Sequence, residues 1–239
     1  MRYARQRLIP GFENLDEILK TKKVAVIGSG GIGGLCLYML TGAGLLHLTV
    51  ADDDTIEDSN LHRQVLFCEE DLGASKSSCC KRELEKLDGR VKVRCFGRVN
   101  SENFEDFSKD ADLVMDLSDN VATRQLASAM CFKFKKDLIH CSVAASTGML
   151  CAFRFSDPEY TKRFGCYACF AGADAKPEFR GITGPWAGTM ACAAASLVMD
   201  HFAGKDIFGK LWLYDLEKRN IRTLNLKRDT HCAVCGDHK

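Results

Sequence analysis

The first half of the chain alternates apolar runs with segments of helical pattern. Residues 24–27, preceded by two lysines, form an apolar run that ends in a series of glycines, and further apolar residues follow at 35–40. This order predicts a buried strand, a tight turn and a helix. Strands separated by helices indicate a mostly parallel sheet with helices on both faces. The other apolar runs cover residues 45–51, 91–96, 111–120 and 137–145.

The second half of the chain has a different pattern. Residues 186–202 are rich in small side chains and predict a long helix. Residues 211–216 and 221–226 alternate between apolar and polar positions, as the two strands of a hairpin do. We therefore expect an α/β, Rossmann-like fold with C-terminal antiparallel strands.

Length and charge narrow the class of protein. We expect one domain over residues 1–239, with a nucleotide-binding core at about 20–155 and a C-terminal part at about 156–239. The formal net charge is +1 and its charges are interspersed, which argues against nucleic acid as a partner. No apolar run is long enough to span a membrane, and the polar first residues are unlike a signal peptide. We therefore expect a cytoplasmic protein that binds no membrane.

The glycine-rich turn predicts a nucleotide site. Gly28, Gly30 and Gly31 stand where the first strand leads into a helix, and glycine lets the backbone approach a ligand while the helix start offers free N–H groups to negative charge. Asp52 follows the second strand, where an acidic side chain can bind ribose hydroxyls. These features also fit an NAD-dependent oxidoreductase. Tight helix–strand packing is the simpler alternative for the glycines.

A polar cluster follows the second strand. Asn60, Arg63 and Gln64 are spaced for one side of a short helical turn, and Lys76 starts the next helical segment. Two cations and two amides beside a nucleotide suit phosphoryl or nucleotidyl transfer, because the developing oxygen charge must be neutralised. The alternative is a solvated turn followed by an ordinary helix start.

Asp119 lies just past the strand that ends near residue 117. Because open α/β sheets bind ligands at this edge, its carboxylate can hold Mg²⁺ on a triphosphate. Alternatively, Asp119 can cap the helix that begins near residue 121.

Two Cys-x-x-Cys pairs predict a structural zinc site. They are formed by Cys166, Cys169, Cys232 and Cys235. Four sulfur ligands complete a tetrahedral site, and zinc bound there would tie the C-terminal tail to the segment of the first pair. Redox dithiols are the alternative.

Together these motifs resemble the ubiquitin-activating-enzyme-like adenylyltransferases, in particular the ThiF/MoeB/HesA group, over nearly the whole chain. The matching motifs are Arg2-Tyr3-x-Arg5-Gln6, Gly28-x-Gly30-Gly31-Ile32-Gly33, Asp52-x-Asp54, Ser59-Asn60-Leu61-x-Arg63-Gln64, Lys76, Ser118-Asp119-Asn120 and both cysteine pairs. The resemblance implies that ATP, with Mg²⁺, adenylates the C-terminal glycine of a ubiquitin-like sulfur-carrier protein ending in Gly-Gly. Pyrophosphate leaves, and a sulfur donor protein then attacks the acyl-adenylate.

The resemblance also implies roles for single residues. Arg5 would reach into the ATP site of a neighbouring subunit, which implies a homodimer, and Asp119 would hold Mg²⁺. Asp52 would bind ribose, while Asn60, Arg63 and Lys76 would bind phosphates. The catalytic residues would be Arg5, Asn60, Arg63, Lys76 and Asp119. The nucleotide site would comprise Gly28, Gly30, Gly31, Asp52, Asp54, Asn60, Arg63, Gln64 and Lys76.

Residues 170–183 would form a loop that crosses the carrier's tail. Thiamine-pathway relatives can carry a cysteine there that links covalently to the carrier, but residues 170–183 contain none. We therefore expect adenylation without that link. We favour a ThiS-like carrier and thiamine biosynthesis, with a MoaD-like carrier for molybdenum cofactor synthesis as the alternative. An NAD-dependent oxidoreductase and a non-catalytic nucleotide-binding scaffold are more distant alternatives.

Overall fold

The structure, a computed structural model, describes residues 2–171 and 181–237. Within these residues, one sheet of eight strands has the order β3-β2-β1-β4-β5-β6-β7-β8. The strands are β1 (Lys23–Ile27), β2 (His47–Ala51), β3 (Lys92–Phe96), β4 (Leu113–Asp116), β5 (Leu138–Ala144), β6 (Thr147–Phe153), β7 (Lys210–Asp215) and β8 (Asn220–Asn225).

The strand order changes direction at β1. β1 pairs in parallel with β2 on one side and with β4 on the other, and the parallel part extends to β3 and β5. From β5 onward the pairs are antiparallel. The expected Rossmann-like sheet with C-terminal antiparallel strands is confirmed. Open sheets of this kind bind ligands at the carboxyl edge where the order changes direction, here between β1 and β4.

Helices precede the sheet, connect its parallel strands and separate β6 from β7. They are α1 (Leu15–Leu19), α2 (Gly33–Ala43), α3 (Lys76–Leu87), α4 (Phe104–Ser108), α5 (Val121–Lys133), α6 (Pro158–Phe164), α7 (Tyr167–Ala171) and α8 (Gly184–Phe202). α2 packs against α3 and α8, and α5 packs against α7. Because parallel crossovers are right-handed, the two directions away from β1 place helices on both faces, as expected. In the two described ranges, no helix combines the length and the apolar character needed to cross a membrane.

β6 is the main difference from the sequence-based expectation. The predicted hairpin is confirmed as β7 and β8, but β6 joins it to the parallel strands. No strand is predicted from sequence between residue 145 and that hairpin. Ala145 adopts a φ of 48° in the turn between β5 and β6, a left-handed conformation that glycine usually provides. The turn therefore lacks the glycine or proline that marks most turns.

α8 begins two residues before the predicted start at 186. The Thr183 hydroxyl oxygen accepts the Trp186 N–H at 3.4 Å, and Pro185 fits the first helical turn because an N–H there needs no helical partner. The small residues of this region allow close packing, since a Cβ on Gly148 of β6 would lie 2.3 Å from the Met190 sulfur. α8 thus packs directly against β5 and β6.

Candidate nucleotide site and metal centre

The glycine turn, residues 28–33, joins β1 to α2 at the change in strand order. Gly28 has a φ of +93°, and a Cβ there would lie 2.9 Å from the Leu117 carbonyl oxygen at the end of β4. A Cβ on Gly33 would lie 2.0 Å from the Gly28 carbonyl oxygen. Only glycine allows this conformation and this close approach. The backbone at the start of α2 is therefore held at the edge where a ligand is expected.

Asp52 lies beside the glycine turn, one residue past β2. Its Oδ2 accepts hydrogen bonds from the Ser29 N–H at 2.7 Å and the Ser29 hydroxyl at 2.9 Å, and its Oδ1 accepts the Asp54 N–H at 3.1 Å. The acidic group and the glycine turn therefore meet, as predicted. Ser29 is fully buried and is not among the site residues predicted from the sequence. Its only signal is a hydroxyl inside Gly-x-Gly.

Residues 57–64 contain the predicted helical turn, with a 3₁₀ helix at Asp58–Asn60. Asn60 Oδ1 accepts the Glu57 N–H at 3.3 Å. The Asn60 carbonyl accepts the N–H of Arg63 at 3.1 Å and of Gln64 at 2.9 Å. Asn60 and Gln64 are buried, while Arg63 is half-buried. Arg63 and Gln64 thus follow Asn60 by one helical turn, as their spacing predicts.

This helical turn packs on the glycine turn. A Cβ on Gly30 would lie 3.4 Å from Gln64 Nε2, and a Cβ on Gly31 would lie 3.4 Å from Arg63 Cγ. Gln64 Oε1 is buried and has no hydrogen-bond partner within the described residues. Because buried polar atoms are nearly always paired, this acceptor fits a donor from a ligand.

The Arg63 side chain is oriented by its own segment. Nη1 donates to the Ser59 carbonyl at 2.8 Å and contacts His62 Nε2, also at 2.8 Å. His62 is not among the site residues predicted from the sequence, where its only signal is its place beside Arg63. The aliphatic part of the Arg63 side chain therefore packs on the glycine turn, and its guanidinium is held by Ser59 and His62.

Lys76 is the first residue of α3 and contacts Asp54, which lies just beyond the end of β2. Its Nζ donates to Asp54 Oδ2 at 2.8 Å, and its N–H donates to the Asp54 carbonyl at 3.0 Å. The Lys76 side chain is buried, whereas that of Asp54 is largely exposed. The cation is therefore fixed at the same edge of the sheet as Asp52.

Asp119 is exposed in the turn between β4 and α5. The helix cap is Asn120, whose side chain accepts the Thr123 N–H at 2.8 Å. The alternative that Asp119 caps this helix is therefore wrong. Its carboxylate has no hydrogen-bond or ion-pair partner among the residues that the structure describes, and a free carboxylate at this edge fits a cation ligand.

The cysteine cluster, Cys166, Cys169, Cys232 and Cys235, lies outside the sheet. Cys166 Sγ is 4.0 Å from Cys169 Sγ and 3.7 Å from Cys232 Sγ, and Cys169 Sγ is 3.4 Å from Cys235 Sγ. All four sulfurs lie within 4.8 Å of one another. Four sulfurs about 2.3 Å from a tetrahedral zinc ion are about 3.8 Å apart. The cluster therefore has the chemistry and the size to hold zinc.

Hydrogen bonds within this cluster favour the thiolate form of Cys235, while the hydrogen bond with Cys235 and burial raise the pKa of the Cys166 thiol. The N–H groups of Cys166 and Val234 point at the sulfurs of Cys169 and Cys232, each at 3.4 Å. Hydrogen bonding from the Cys166 thiol lowers the pKa of Cys235 to about 5. Thiolate is the form of cysteine that binds metal.

Almost the whole chain matches one protein family. The model of the ThiF family matches residues 3–234. This chain belongs to the ThiF family. The resemblance inferred from the motifs is thereby confirmed at the level of the family.

Named relatives of this ThiF-family chain match it over 99% of its length. The sulfur carrier protein ThiS adenylyltransferase of Escherichia coli is 34% identical over 244 residues, which cover 95% of that protein. The sulfur carrier protein adenylyltransferase of Thermus thermophilus is 34% identical over 248 residues, covering 90% of that protein. The solved structure of E. coli MccB with ATP has a TM-score of 0.82 at 23% identity, covering 99% of this chain and 75% of that one. At this identity, the likeness shows the fold.

Arg5 lies apart from the other predicted site residues. Its side chain is exposed, and the adjacent Gln6 donates from Nε2 to the Ala43 carbonyl at 3.2 Å, at the C-terminal end of α2. The glycine turn is at the other end of this 11-residue helix. That distance is about 16 Å at 1.5 Å per residue. Within one ThiF-family subunit, Arg5 therefore does not join the candidate site.

The predicted crossing loop, residues 170–183, lies mostly outside the described residues. Phe170 and Ala171 end α7, and Thr183 caps α8. The start of α8 touches the Arg63 segment, because a Cβ on Gly184 would lie 2.6 Å from the His62 carbonyl oxygen. The chain that follows the loop therefore enters beside the candidate site.

Proposed function

We propose that this ThiF-family chain uses ATP to adenylate the C-terminal glycine of a ubiquitin-like sulfur-carrier protein and releases pyrophosphate. The observation that carries the proposal is the packing of the Arg63 segment on the glycine turn. An arginine beside a nucleotide-binding turn suits nucleotidyl transfer, because charge then develops on phosphate oxygens, whereas hydride transfer to a nicotinamide develops none there. The relatives described above are sulfur carrier protein adenylyltransferases, which supports the same reaction.

The proposed nucleotide contacts follow the geometry of the edge. The triphosphate would lie on the glycine turn and the start of α2, with Asp52 at the ribose hydroxyls. Asn60, Arg63 and Lys76 would bind the phosphates. The unpaired Gln64 Oε1 would accept a hydrogen bond from the bound substrate.

The proposed reaction needs alignment more than proton transfer. A glycine carboxylate oxygen attacks the α-phosphorus of ATP, and the bond to the bridging oxygen of pyrophosphate breaks. The C-terminal carboxylate has a pKa of about 3.5 and is already ionised at pH 7, so it needs no general base. Arg63 and Lys76 would stabilise the charge on the phosphate oxygens.

Two metals fit the chain in different roles. Mg²⁺, held by Asp119, would neutralise triphosphate charge when bound. Zinc in the cysteine cluster would be structural, because four protein sulfurs leave no ligand position open.

The assembly is also part of the proposal. We propose one domain and a homodimer, in which Arg5 reaches the ATP site of the other subunit. The distance between Arg5 and the glycine turn of its own subunit supports a role across an interface. Sedimentation velocity should give a dimer, and a monomer at all concentrations would contradict this part. The cytoplasmic location stays a prediction.

ATP–pyrophosphate exchange tests the reaction. We expect exchange only when a ThiS-like carrier ending in Gly-Gly is present, and the matched control is the same carrier without its last glycine. Exchange with a MoaD-like carrier but not with a ThiS-like carrier would indicate a role in molybdenum cofactor synthesis. ATP binding without exchange for either carrier would indicate a scaffold and overturn the proposal. Binding of NAD but not of ATP would indicate an oxidoreductase.

A further inference from the structure

A buried carboxylate lies beneath the turn that carries Asp119. Asp116, the last residue of β4, accepts the Ser118 N–H at 3.1 Å and the Ser118 hydroxyl at 2.6 Å through Oδ1. Its Oδ2 lies 2.8 Å from His140 Nδ1 on β5. Asp116 and His140 are each only 1% exposed. Asp116 therefore ties the residue before Asp119 to the neighbouring strand.

His140 completes a chain of hydrogen bonds across β5. An ionised carboxylate only accepts, so the His140 tautomer that fits has its proton on Nδ1. Its Nε2 then accepts the hydroxyl proton of Ser142, whose Oγ lies 3.1 Å away. Asp116, Ser118, His140 and Ser142 thus each have a hydrogen-bond partner within this network. A fully satisfied buried network of this kind rigidifies the backbone that it joins.

The turn after β4 is also held from outside. Arg124 of α5 donates to the Ser118 carbonyl from Nε at 3.4 Å and from a terminal nitrogen at 3.3 Å. The Ser118 nitrogen would lie 3.2 Å from a Cβ on Gly28, so this turn also packs on the glycine turn. Tyr167 covers His140, with the ring centroids 5.0 Å apart in an edge contact. His140 is thus shielded from solvent, and its polar contacts are with Asp116 and Ser142.

The order Asp116, His140, Ser142 is that of a hydrolytic triad, but its burial argues against that chemistry. A nucleophilic serine must meet substrate, whereas Ser142 is 6% exposed and lies on β5 between β4 and β6. A role in holding the neighbouring turn remains.

We propose that His140 is a positioning residue for Mg²⁺–ATP. Through Asp116 it holds the Ser118 backbone, and so keeps the Asp119 carboxylate where the metal on the triphosphate needs it. This inference rests on the proposed function, which assigns Mg²⁺ to Asp119. Its substrate class is a metal-bound nucleoside triphosphate.

The test compares His140→Leu with His140→Asn. Leucine leaves Asp116 with a missing donor, whereas the asparagine amide can donate from about the place of Nδ1. We expect His140→Leu to raise the Mg²⁺ concentration for half-maximal ATP binding by about tenfold, since a buried acceptor loses its partner. His140→Asn should recover most of that loss. Calorimetric titration of ATP at stepped Mg²⁺ concentrations measures both without a carrier.

Cys141→Ala is the matched control. Cys141 is the next residue of β5 and fully buried, and its sulfur lies toward the Met190 carbonyl of α8 at 3.5 Å, away from Asp116. The Cys141→Ala variant should have a lower melting temperature but the same Mg²⁺ requirement as the wild type. A folded His140→Leu protein with the Mg²⁺ requirement of Cys141→Ala would overturn the proposal.

Further outcomes separate this inference from the proposed function. If His140→Leu does not fold, Ser142→Ala still tests the inference. This variant removes the hydrogen bond that orients His140, so it should raise the Mg²⁺ requirement about twofold. An unchanged requirement in Ser142→Ala and His140→Asn alike would then count against a positioning role. A wild-type protein that binds ATP independently of Mg²⁺ would overturn the inference. One that binds Mg²⁺–ATP but shows no carrier-dependent exchange would overturn only the proposed function.

Discussion

The nucleotide edge comprises the glycine turn, Asp52, residues 57–64, Lys76 and Asp119, and there the sheet itself brings the side chains together. The Gly28 N–H donates to the Ala51 carbonyl at 2.8 Å, and the Leu117 N–H donates to the Ile27 carbonyl at 2.9 Å, so β1, β2 and β4 end side by side. In the cysteine cluster, by contrast, the sulfurs of Cys166 and Cys232 meet across 66 residues of sequence.

This difference predicts different responses to mutation. The strands behind the nucleotide edge are buried in the core, so a side-chain change at the edge should alter the reaction more than the free energy of unfolding. The second cysteine pair lies beyond the last strand, where the proposed zinc ligation would contribute directly to folding. A change in the cluster should therefore alter stability more than the reaction.

Arg63→Ala should have the largest effect on the reaction. Losing a cation that neutralises phosphate charge should lower carrier-dependent ATP–pyrophosphate exchange by about 10²- to 10³-fold. The melting temperature should change by only about 2 °C, as for an ordinary surface substitution. Arg94→Ala, at an exposed arginine of β3 that pairs with Asp106, should leave exchange unchanged. A large fall in melting temperature with Arg63→Ala would break the contrast between the two regions.

Cys232→Ser should have the largest effect on stability. Loss of one of four ligands should release zinc, measured by metal analysis, and lower the melting temperature by roughly 10 °C. ATP affinity well below the transition should change little. Cys192→Ser is the control, because Cys192 is an exposed cysteine on α8 outside the cluster. Full zinc occupancy in Cys232→Ser would refute the metal assignment.

Asp88, which Arg2 of the N-terminal segment contacts, lies in neither region and should show a smaller effect that rests on its ionised form. Hydrogen bonds from Arg90, aided by the charge of Arg2, lower the pKa of Asp88 from 3.8 to about 2. A lowered carboxyl pKa stabilises the fold above about pH 4, and that contribution is lost as the pH falls toward 2. We expect about 1 kcal/mol, because both arginines are about half exposed and water screens them.

Denaturant unfolding at pH 5 and pH 2.5 measures this contribution. Asp88→Asn should be less stable than the wild type at pH 5, and the gap should be much smaller at pH 2.5. A gap that is the same at both pH values would show that packing, and not charge, holds Asp88.

Much of the candidate site was predictable because each motif is carried by neighbouring residues. The turn of Asn60, Arg63 and Gln64 follows from helical spacing, and the folded chain has it. Adjacent positions were harder to separate: whether Asp119 or Asn120 caps α5 depends on where β4 ends. The partner of Lys76 was not predicted at all, since Asp54 reaches it only through the meeting of β2 with α3.

By itself, the sequence determined the glycine turn, the parallel half of the sheet and the four sulfurs of the cysteine cluster. The conformational freedom of glycine, the alternation of strand and helix patterns and the chemistry of sulfur are properties of the residues themselves. Only the tertiary structure decided that β6 bridges the two halves of the sheet, that Arg5 lies at the far end of α2 and that His140 holds Asp116 beneath the Asp119 turn. These features depend on contacts between segments far apart in the chain, and no local pattern encodes which of those segments will meet.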